Sequence, residues 1–147
     1  MKSKTAWISL GLAIVGIGFV SASTADAEEN RDGVFIHVTH GVDNPHRVLM
    51  ALSMATIMCE DHDVLVYFDI KGIQAVLKDA DNLTYAHFDS SKKMLAALSK
   101  QGATLMACPG CLKAAGKTKD DLAPGVQVAD KKVFFSFTKG RILTLDY

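Results

Sequence analysis

The sequence has little cysteine, little proline and no excess of charge of either sign. Its 147 residues include three cysteines and three prolines, and 16 lysine and arginine residues balance 16 aspartate and glutamate residues. Three cysteines are too few for a small scaffold held together by disulfides. A net charge of zero argues against a protein that binds nucleic acid through bulk positive charge. The hydrophobic content of 49% is typical of one globular domain and excludes a disordered tail.

The first 27 residues have the pattern of a secretory signal peptide. Lys2 and Lys4 supply the positive start, and an uncharged, mostly apolar run of 15 residues follows over 6–20. Ala25-Asp26-Ala27 then matches the small-residue cleavage signal. A transmembrane anchor is the alternative, but a span needs roughly 20 apolar residues. We expect cleavage of residues 1–27, export to the periplasm, and a domain of residues 28–147 that is not attached to the membrane.

The rest of the chain alternates strands with helices. Strands are predicted over residues 34–39, 64–68, 104–107 and 126–128, and helices over residues 46–60, 70–78, about 91–101 and 109–116. Strands separated by helices predict a single-domain α/β sandwich around a mainly parallel sheet. Over residues 130–145 the local pattern permits either a β-hairpin or a helix followed by a last parallel strand.

A C-x-x-C motif, Cys108-Pro109-Gly110-Cys111, lies where the third strand ends and a short helix begins. Open α/β sheets place their sites at the carboxyl ends of strands. Cys108 is expected at the helix N-cap, where free N–H groups and the helix dipole favour a thiolate. Gly110 leaves the first turn open to a close approach, and Lys113 adds positive charge nearby.

Two other interpretations of the motif need to be considered. In an exported chain, Cys108 and Cys111 can form a structural disulfide. A structural zinc site needs a second pair of ligands at fixed spacing, and Cys59 stands alone in the sequence. No metal site and no cofactor is therefore predicted.

The segment around the cysteines has a more specific pattern. A cysteine at a strand end begins a short helix that closes on Gly116, and residues 120–126 add an acidic-Leu stretch and a Gly-Val turn. In these residues the chain resembles the DsrE/DsrF-like sulfur-relay family, and the order of elements agrees from residue 34 onward. The resemblance implies a three-layer α/β sandwich with a five-stranded, mainly parallel sheet, and it favours the helix-then-strand alternative. It also implies trimers or hexamers, and Cys108 as the persulfide carrier.

Cys111 is a second thiol that the single-cysteine carriers of the family lack. Our leading hypothesis is an exported sulfur carrier or thiol-exchange protein, in which Cys108 attacks a sulfane or disulfide sulfur. Cys111 then resolves the adduct by forming the Cys108–Cys111 disulfide. The expected partners are small sulfur compounds or a thiol-bearing protein. The alternatives are a copper-binding module and a structural oligomer with an inert disulfide.

Three residues after the first strand are candidates for substrate binding. Parallel topology places His40 and His46 at the same edge of the sheet as Cys108, where they can donate protons or favour the thiolate. Arg47 lies in the same segment and can steer an anionic sulfur substrate. Surface loop residues without such a role are the alternative interpretation.

Methionines recur at helical spacing along the first predicted helix, at Met50, Met54 and Met58. Together with the histidines and cysteines they suggest a soft-metal site, and copper is a plausible metal for such a site outside the cytoplasm. Flexible filling of the core is the simpler interpretation of methionine at this spacing. Cys59 is expected to be a buried small residue, or else a resolving or bridging thiol.

Overall fold

The computed structural model describes residues 30–147, so the predicted signal peptide of residues 1–27 lies outside the described residues. The strands are β1 (Gly33–Val38), β2 (Asp63–Phe68), β3 (Thr104–Ala107), β4 (Val126–Val128) and β5 (Ile142–Asp146). The helices are α1 (Pro45–Met58), α2 (Ser91–Gln101), α3 (Pro109–Ala114) and α4 (Lys131–Phe134), with short 3-10 helices at Gly72–Val76 and Lys119–Asp121. Over the described part of the chain, no helix is long and apolar enough to cross a membrane.

All five strands belong to one parallel sheet, in the order β4-β3-β2-β1-β5. The chain steps outward from β1 to β4 and then returns past β1 to add β5 on the other side. The predicted α/β class and five-stranded sheet are therefore confirmed. At the C-terminus the helix-then-strand alternative is correct, because α4 precedes β5 and Gly33 of β1 pairs with Ile142.

One face of the sheet carries the hydrophobic core. Alternate residues of β1 point to this face, and Val34, Ile36 and Val38 are almost fully buried there. Helices α1 and α2 contribute their apolar sides, including Leu52 and Leu98, both with no exposed surface. Burying such aliphatic side chains is worth about 1.5–3 kcal/mol each, so this face provides most of the stabilisation of the fold.

The opposite face is covered mainly by aromatic side chains and the four-residue helix α4. The Phe134 ring lies 5.3 Å from that of Phe35 and 5.6 Å from that of Tyr67, both in edge-to-face arrangements. Nearer the carboxyl ends of the strands, His37 lies beside Tyr67 with ring centroids 5.9 Å apart. This face therefore changes from aromatic to ionisable as it approaches the site edge.

The helix predicted over residues 70–78 is only a five-residue 3-10 helix, Gly72–Val76. Ile70 has a φ of 47°, which an α-helix does not tolerate, so the chain reverses before it can become helical. Gly72 then passes so close to β1 that a Cβ there would lie 2.1 Å from the carbonyl oxygen of Val38. The local pattern of apolar residues did not reveal either constraint.

Gly72→Ala should destabilise the protein, since its methyl group would collide with backbone that cannot rotate away. We expect a loss of about 1–3 kcal/mol in the free energy of unfolding, typical of an overpacked position. Urea denaturation measures this. Gly110→Ala is the matched control, because a Cβ at Gly110 meets only Cys108 Sγ at 3.8 Å. Equal stability of the two variants would contradict the close approach.

Candidate functional site

Cys108 follows β3 and begins α3. Its backbone N–H donates to the carbonyl of Phe68 at 2.9 Å, which ties the start of the motif to the end of β2. Pro109 occupies the first helical position, where its missing N–H costs nothing. The Cys108 side chain is the helix cap: its Sγ accepts from the N–H of Cys111 at 3.4 Å. The helix N-terminus thus directs its free donors at this sulfur.

The surroundings of Cys108 favour its thiolate. Partial burial opposes the charge, but hydrogen bonds from the Tyr67 hydroxyl and from the N–H groups of Cys111 and Gly110 outweigh it. The pKa of Cys108 is therefore lowered from its ordinary value. A thiolate is the form that attacks sulfur, so the lowered pKa makes Cys108 the more readily ionised sulfur of the pair.

Cys111 has the opposite preference. Burial raises the pKa of its thiol, and the hydrogen bond and charge of Cys108 raise it further. The backbone N–H of Ile70 donates to Cys111 Sγ at 3.1 Å and holds the sulfur in place. Cys111 is thus the less readily ionised of the two, and its thiol donates a hydrogen bond to Cys108. Two-step thiol exchange needs one thiol that attacks first and a second that resolves the adduct, and this pair of cysteines fits that arrangement.

The donor at Ile70 depends on an unusual backbone. Ile70 is β-branched, yet it has a φ of 47° and a side chain that is 63% exposed. Such a conformation costs on the order of 1–3 kcal/mol and persists where the surroundings impose it. Here the N–H of Gly72 bonds to the carbonyl of Asp69 at 2.7 Å and closes the tight turn around Ile70. The turn both aims the Ile70 N–H at Cys111 and leaves an apolar side chain exposed beside the cysteines.

An ionisable cluster lies beside the cysteines on the second face of the sheet. His37 Nδ1 is 3.0 Å from Asp146 Oδ1, and His37 Nε2 is 2.9 Å from Asp69 Oδ2. Burial lowers the pKa of His37, but the two carboxylates outweigh it and the net shift is upward. The charge of Asp69 also raises the pKa values of Tyr67 and Cys111, which places it within electrostatic reach of both.

Gly110 and Lys113 share the short helix with the cysteines, as the sequence predicts. A Cβ at Gly110 would sit over Cys108 Sγ at 3.8 Å, so the glycine leaves that side of the sulfur open. Lys113 is exposed in the last turn of α3. Its charge lies on the solvent side of the helix.

His40, His46 and Arg47 lie at the predicted edge of the sheet. The side chains of both histidines contact residues other than the cysteines. His40 Nδ1 is 3.1 Å from Thr39 Oγ1, and the His46 ring stacks on Tyr85 with centroids 4.3 Å apart. Arg47 is exposed in the first turn of α1. None of the contacts described for these three residues reaches the sulfur atoms of the motif.

Cys59 lies at the other end of the molecule. It caps α1, which runs from the carboxyl edge of β1 back to the amino edge of β2. A strand of six residues separates those edges by roughly 20 Å. The idea that Cys59 resolves an adduct on Cys108 of the same chain is therefore wrong. Cys59 is only partly buried, and this burial raises the pKa of its thiol.

Met54 and Met58 pack against the hydrophobic core. In residues 30–147, no three histidine, cysteine, aspartate or glutamate side chains are arranged to hold a metal ion. The copper alternative is left with the two sulfur atoms of the motif as its ligands.

Sequence reasoning missed Tyr67, His37, Asp69 and Asp146. Each lies in or just beyond a strand, where an ionisable side chain interrupts an otherwise apolar run. That interruption was the signal in the sequence from which these four residues could have been identified. Only strand pairing brings the four together, because His37 pairs with both Tyr67 and Asp146 across the sheet.

Tyr67→Phe removes one donor to the Cys108 thiolate and keeps the ring that packs on Phe134. The pKa of Cys108 should rise, so alkylation by iodoacetamide should slow several-fold at neutral pH and its pH midpoint should move upward. Mass spectrometry of the Cys108 peptide over a pH series measures this. Tyr85→Phe, at an exposed ring stacked on His46, is the control. An unshifted midpoint in Tyr67→Phe would refute the hydrogen bond.

Two solved structures share this architecture. The ychN protein from E. coli is 17% identical, with a TM-score of 0.61, and the match covers 78% of this chain and 99% of that one. A protein of unknown function from Methanobacterium thermoautotrophicum, MTH1491, is 20% identical with a TM-score of 0.57, covering 77% of this chain and 98% of that one. At these identities the likeness concerns the fold alone. Among curated protein sequences, none matches the chain.

The family itself is settled by the sequence pattern taken as a whole. The model of the DsrE/DsrF-like family matches residues 32–139, which includes β1 through α4 and both cysteines of the motif. That span is well over half of the 147 residues. The chain belongs to the DsrE/DsrF-like family.

Proposed function

We propose that this protein is an exported sulfur carrier that holds sulfane sulfur on Cys108 and discharges it with the help of Cys111. The observation that carries the proposal is the arrangement of donors around the two sulfur atoms, which shifts their pKa values in opposite directions. The pKa of Cys108 is lowered by Tyr67 and by helix N–H donors, while the pKa of Cys111 is raised. Membership of the DsrE/DsrF-like family supports sulfur chemistry at this position.

Loading is a nucleophilic displacement at sulfur. The Cys108 thiolate attacks the outer sulfur of thiosulfate or a terminal sulfur of a polysulfide and forms a new S–S bond. The bond on the far side of the attacked sulfur breaks, and sulfite or a shorter polysulfide leaves with the electron pair. Cys108 then carries a persulfide. The N–H groups that stabilised the thiolate remain close enough to stabilise this anionic adduct.

Two routes discharge the adduct. An acceptor thiolate can attack the outer sulfur and take it, which returns the Cys108 thiolate. Alternatively, Cys111 attacks Cys108 Sγ of the protonated persulfide and forms the intramolecular disulfide. The thiol proton of Cys111 goes to a nearby base, and the outer sulfur leaves with the electron pair and its own proton as hydrosulfide. The disulfide is then reduced by an external dithiol, which is the class of partner that the second route requires. A mixed disulfide with a partner protein is resolved in the same way, with the partner thiolate as leaving group.

Export and self-assembly are parts of the same proposal. The basic start, apolar run and A-x-A signal within residues 1–27 support cleavage and a periplasmic location. The family resemblance supports a trimer or hexamer. Exposed apolar side chains near the C-terminus provide surface for it: Phe135 is 73% exposed, Ile142 55% and Leu143 56%. His40, His46, Arg47 and Lys113 are proposed to guide an anionic sulfur donor toward Cys108.

Sulfur loading should depend on Cys108 and be prolonged without Cys111. The pre-reduced protein is exposed to polysulfide or thiosulfate and its intact mass is followed with time. Cys108→Ser should gain no sulfur, whereas Cys111→Ser should keep added sulfur on the Cys108 peptide longer than the unmodified protein does. Cys59→Ala is the matched control and should load normally. Equal loading of Cys108→Ser would refute the assignment.

The same spectra distinguish the alternatives. A loss of two hydrogens without added sulfur indicates disulfide exchange or an inert bridge. An unchanged mass favours the copper module, which predicts stoichiometric Cu(I) binding that a Cys108/Cys111 double variant loses.

Removal of residues 1–27 should accompany export. Expressed in a Gram-negative bacterium, the protein should appear in the periplasmic fraction with Glu28 as its first residue, as read from the mass of its N-terminal peptide. Ala27→Tyr should block processing, because the cleavage site needs a small residue there. A periplasmic protein that retains residues 1–27, or processing that survives Ala27→Tyr, would contradict the cleavage site.

A further inference from the structure

In the resolving step, the thiol proton of Cys111 has to be removed. In the resting protein the thiol of Cys111 donates to the Cys108 thiolate. Once Cys108 Sγ has formed a bond to another sulfur, it is no longer an anion and cannot accept the proton. Cys111 must nevertheless lose it to become a nucleophile, and burial makes that loss harder. In a mixed disulfide or a protonated persulfide no anionic sulfur is left on Cys108, so another base is required near Cys111.

The cluster beside the cysteines contains two buried atoms without an aligned partner. Asp69 Oδ1 and His37 Nε2 have almost no exposed surface and no well-directed hydrogen bond among the described residues. Buried polar atoms without well-directed hydrogen bonds are rare and need an explanation, of which a role in catalysis is one. Here both belong to one pair, since Asp69 Oδ2 lies 2.9 Å from His37 Nε2.

Asp69 is placed to act on Cys111. It immediately precedes Ile70, whose N–H holds Cys111 Sγ at 3.1 Å. Burial and Cys108 raise the pKa of Cys111 most, and the charge of Asp69 adds to this, so the carboxylate lies within electrostatic reach of the sulfur. The strained turn at Ile70 thus presents both a donor to the sulfur and, one residue earlier, an acceptor for its proton.

His37 is placed to take the proton onward. Its two ring nitrogens face Asp69 and Asp146, and its remaining ionisable neighbour is Tyr67 of β2. With Nδ1–H directed at Asp146, the lone pair of Nε2 faces Asp69. A proton received there produces an imidazolium between two carboxylates, and this pairing raises the pKa of His37. Asp146 is 70% exposed in its side chain and links the cluster to solvent.

We propose that Asp69 is the general base for Cys111 in the resolving step and that His37 receives the proton from Asp69. This inference rests on the proposed two-cysteine chemistry. The thiol proton of Cys111 moves to Asp69 as Cys111 Sγ forms its bond to Cys108 Sγ. The bond between Cys108 Sγ and the adduct sulfur breaks, and the electron pair leaves with that sulfur. Asp69 passes the proton to neutral His37, so no oxidant or reductant beyond the adduct is consumed.

An aromatic disulfide tests the relay whether or not the protein carries sulfane sulfur. In a Cys59→Ala parent, equimolar dithionitrobenzoate releases one coloured thiolate as Cys108 forms the mixed disulfide, and a second as Cys111 resolves it. Stopped-flow absorbance gives both rates across pH. If no persulfide is loaded in the mass experiment, only the proposed sulfur carriage is refuted. The rate of the second thiolate release tests the proton relay separately.

Asp69→Asn and His37→Gln should each slow the second release by roughly tenfold or more near neutral pH, the effect expected of a lost general base. In the parent this rate should rise with pH through the pKa of His37, and that rise should be missing in His37→Gln. Asp61→Asn and His62→Gln are matched controls, since they alter an acid–histidine pair at the opposite edge of the sheet. An unchanged or faster second release in Asp69→Asn would overturn the proposal, because an aspartate that merely repels the Cys111 thiolate predicts that result.

Asp146→Asn keeps the proposal testable if changes at the buried pair disturb folding. The Asp146 side chain is exposed, and its loss removes a carboxylate that favours charged His37. The rise of the second rate should therefore move to lower pH while the first release stays complete. A rise at the parent's pH would count against His37 as the proton acceptor.

Discussion

Two hydrogen bonds from backbone N–H groups to sulfur hold the site together. One runs from Cys111 to Cys108 Sγ and the other from Ile70 to Cys111 Sγ. The first exists because α3 begins directly after β3, and the second because the chain turns through a left-handed residue after β2. Relaxing the first turn would remove a donor that lowers the pKa of Cys108, and relaxing the second would release the sulfur of Cys111 from its place beside Cys108.

The two faces of the parallel sheet differ in composition and in what they contribute to the protein. Alternation along β1 and β2 sends aliphatic side chains to α1 and α2, and that face provides the stabilisation. The other face receives Phe35, His37 and Tyr67, and it has only the short helix α4 as cover. Because stability is secured on the first face, the second can accommodate an ionisable cluster next to the cysteines. The same division explains why a strained isoleucine is tolerated at the edge of the sheet.

The asymmetry of the cysteines favours exchange chemistry over an inert bridge. A purely structural disulfide needs no thiolate-stabilising donors, yet Tyr67 and two helix N–H groups point at Cys108. A carrier with one cysteine needs no second sulfur held by a strained turn. The open side of the site at Gly110 and the exposed Ile70 next to Cys111 are consistent with a substrate that approaches from solvent.

The sequence by itself determined the class of fold, most element positions and the location of the cysteine motif at a strand end. These follow from local rules: β-branched apolar runs form strands, proline starts α3, and glycine ends α2 in a left-handed conformation. Tertiary structure decided the rest. Whether residues 130–145 form a hairpin or a helix and a strand depends on the free edge of β1, which no local pattern encodes. His37, Tyr67, Asp69 and Asp146 become one cluster only through strand register, because residues that are far apart in the chain meet across a sheet.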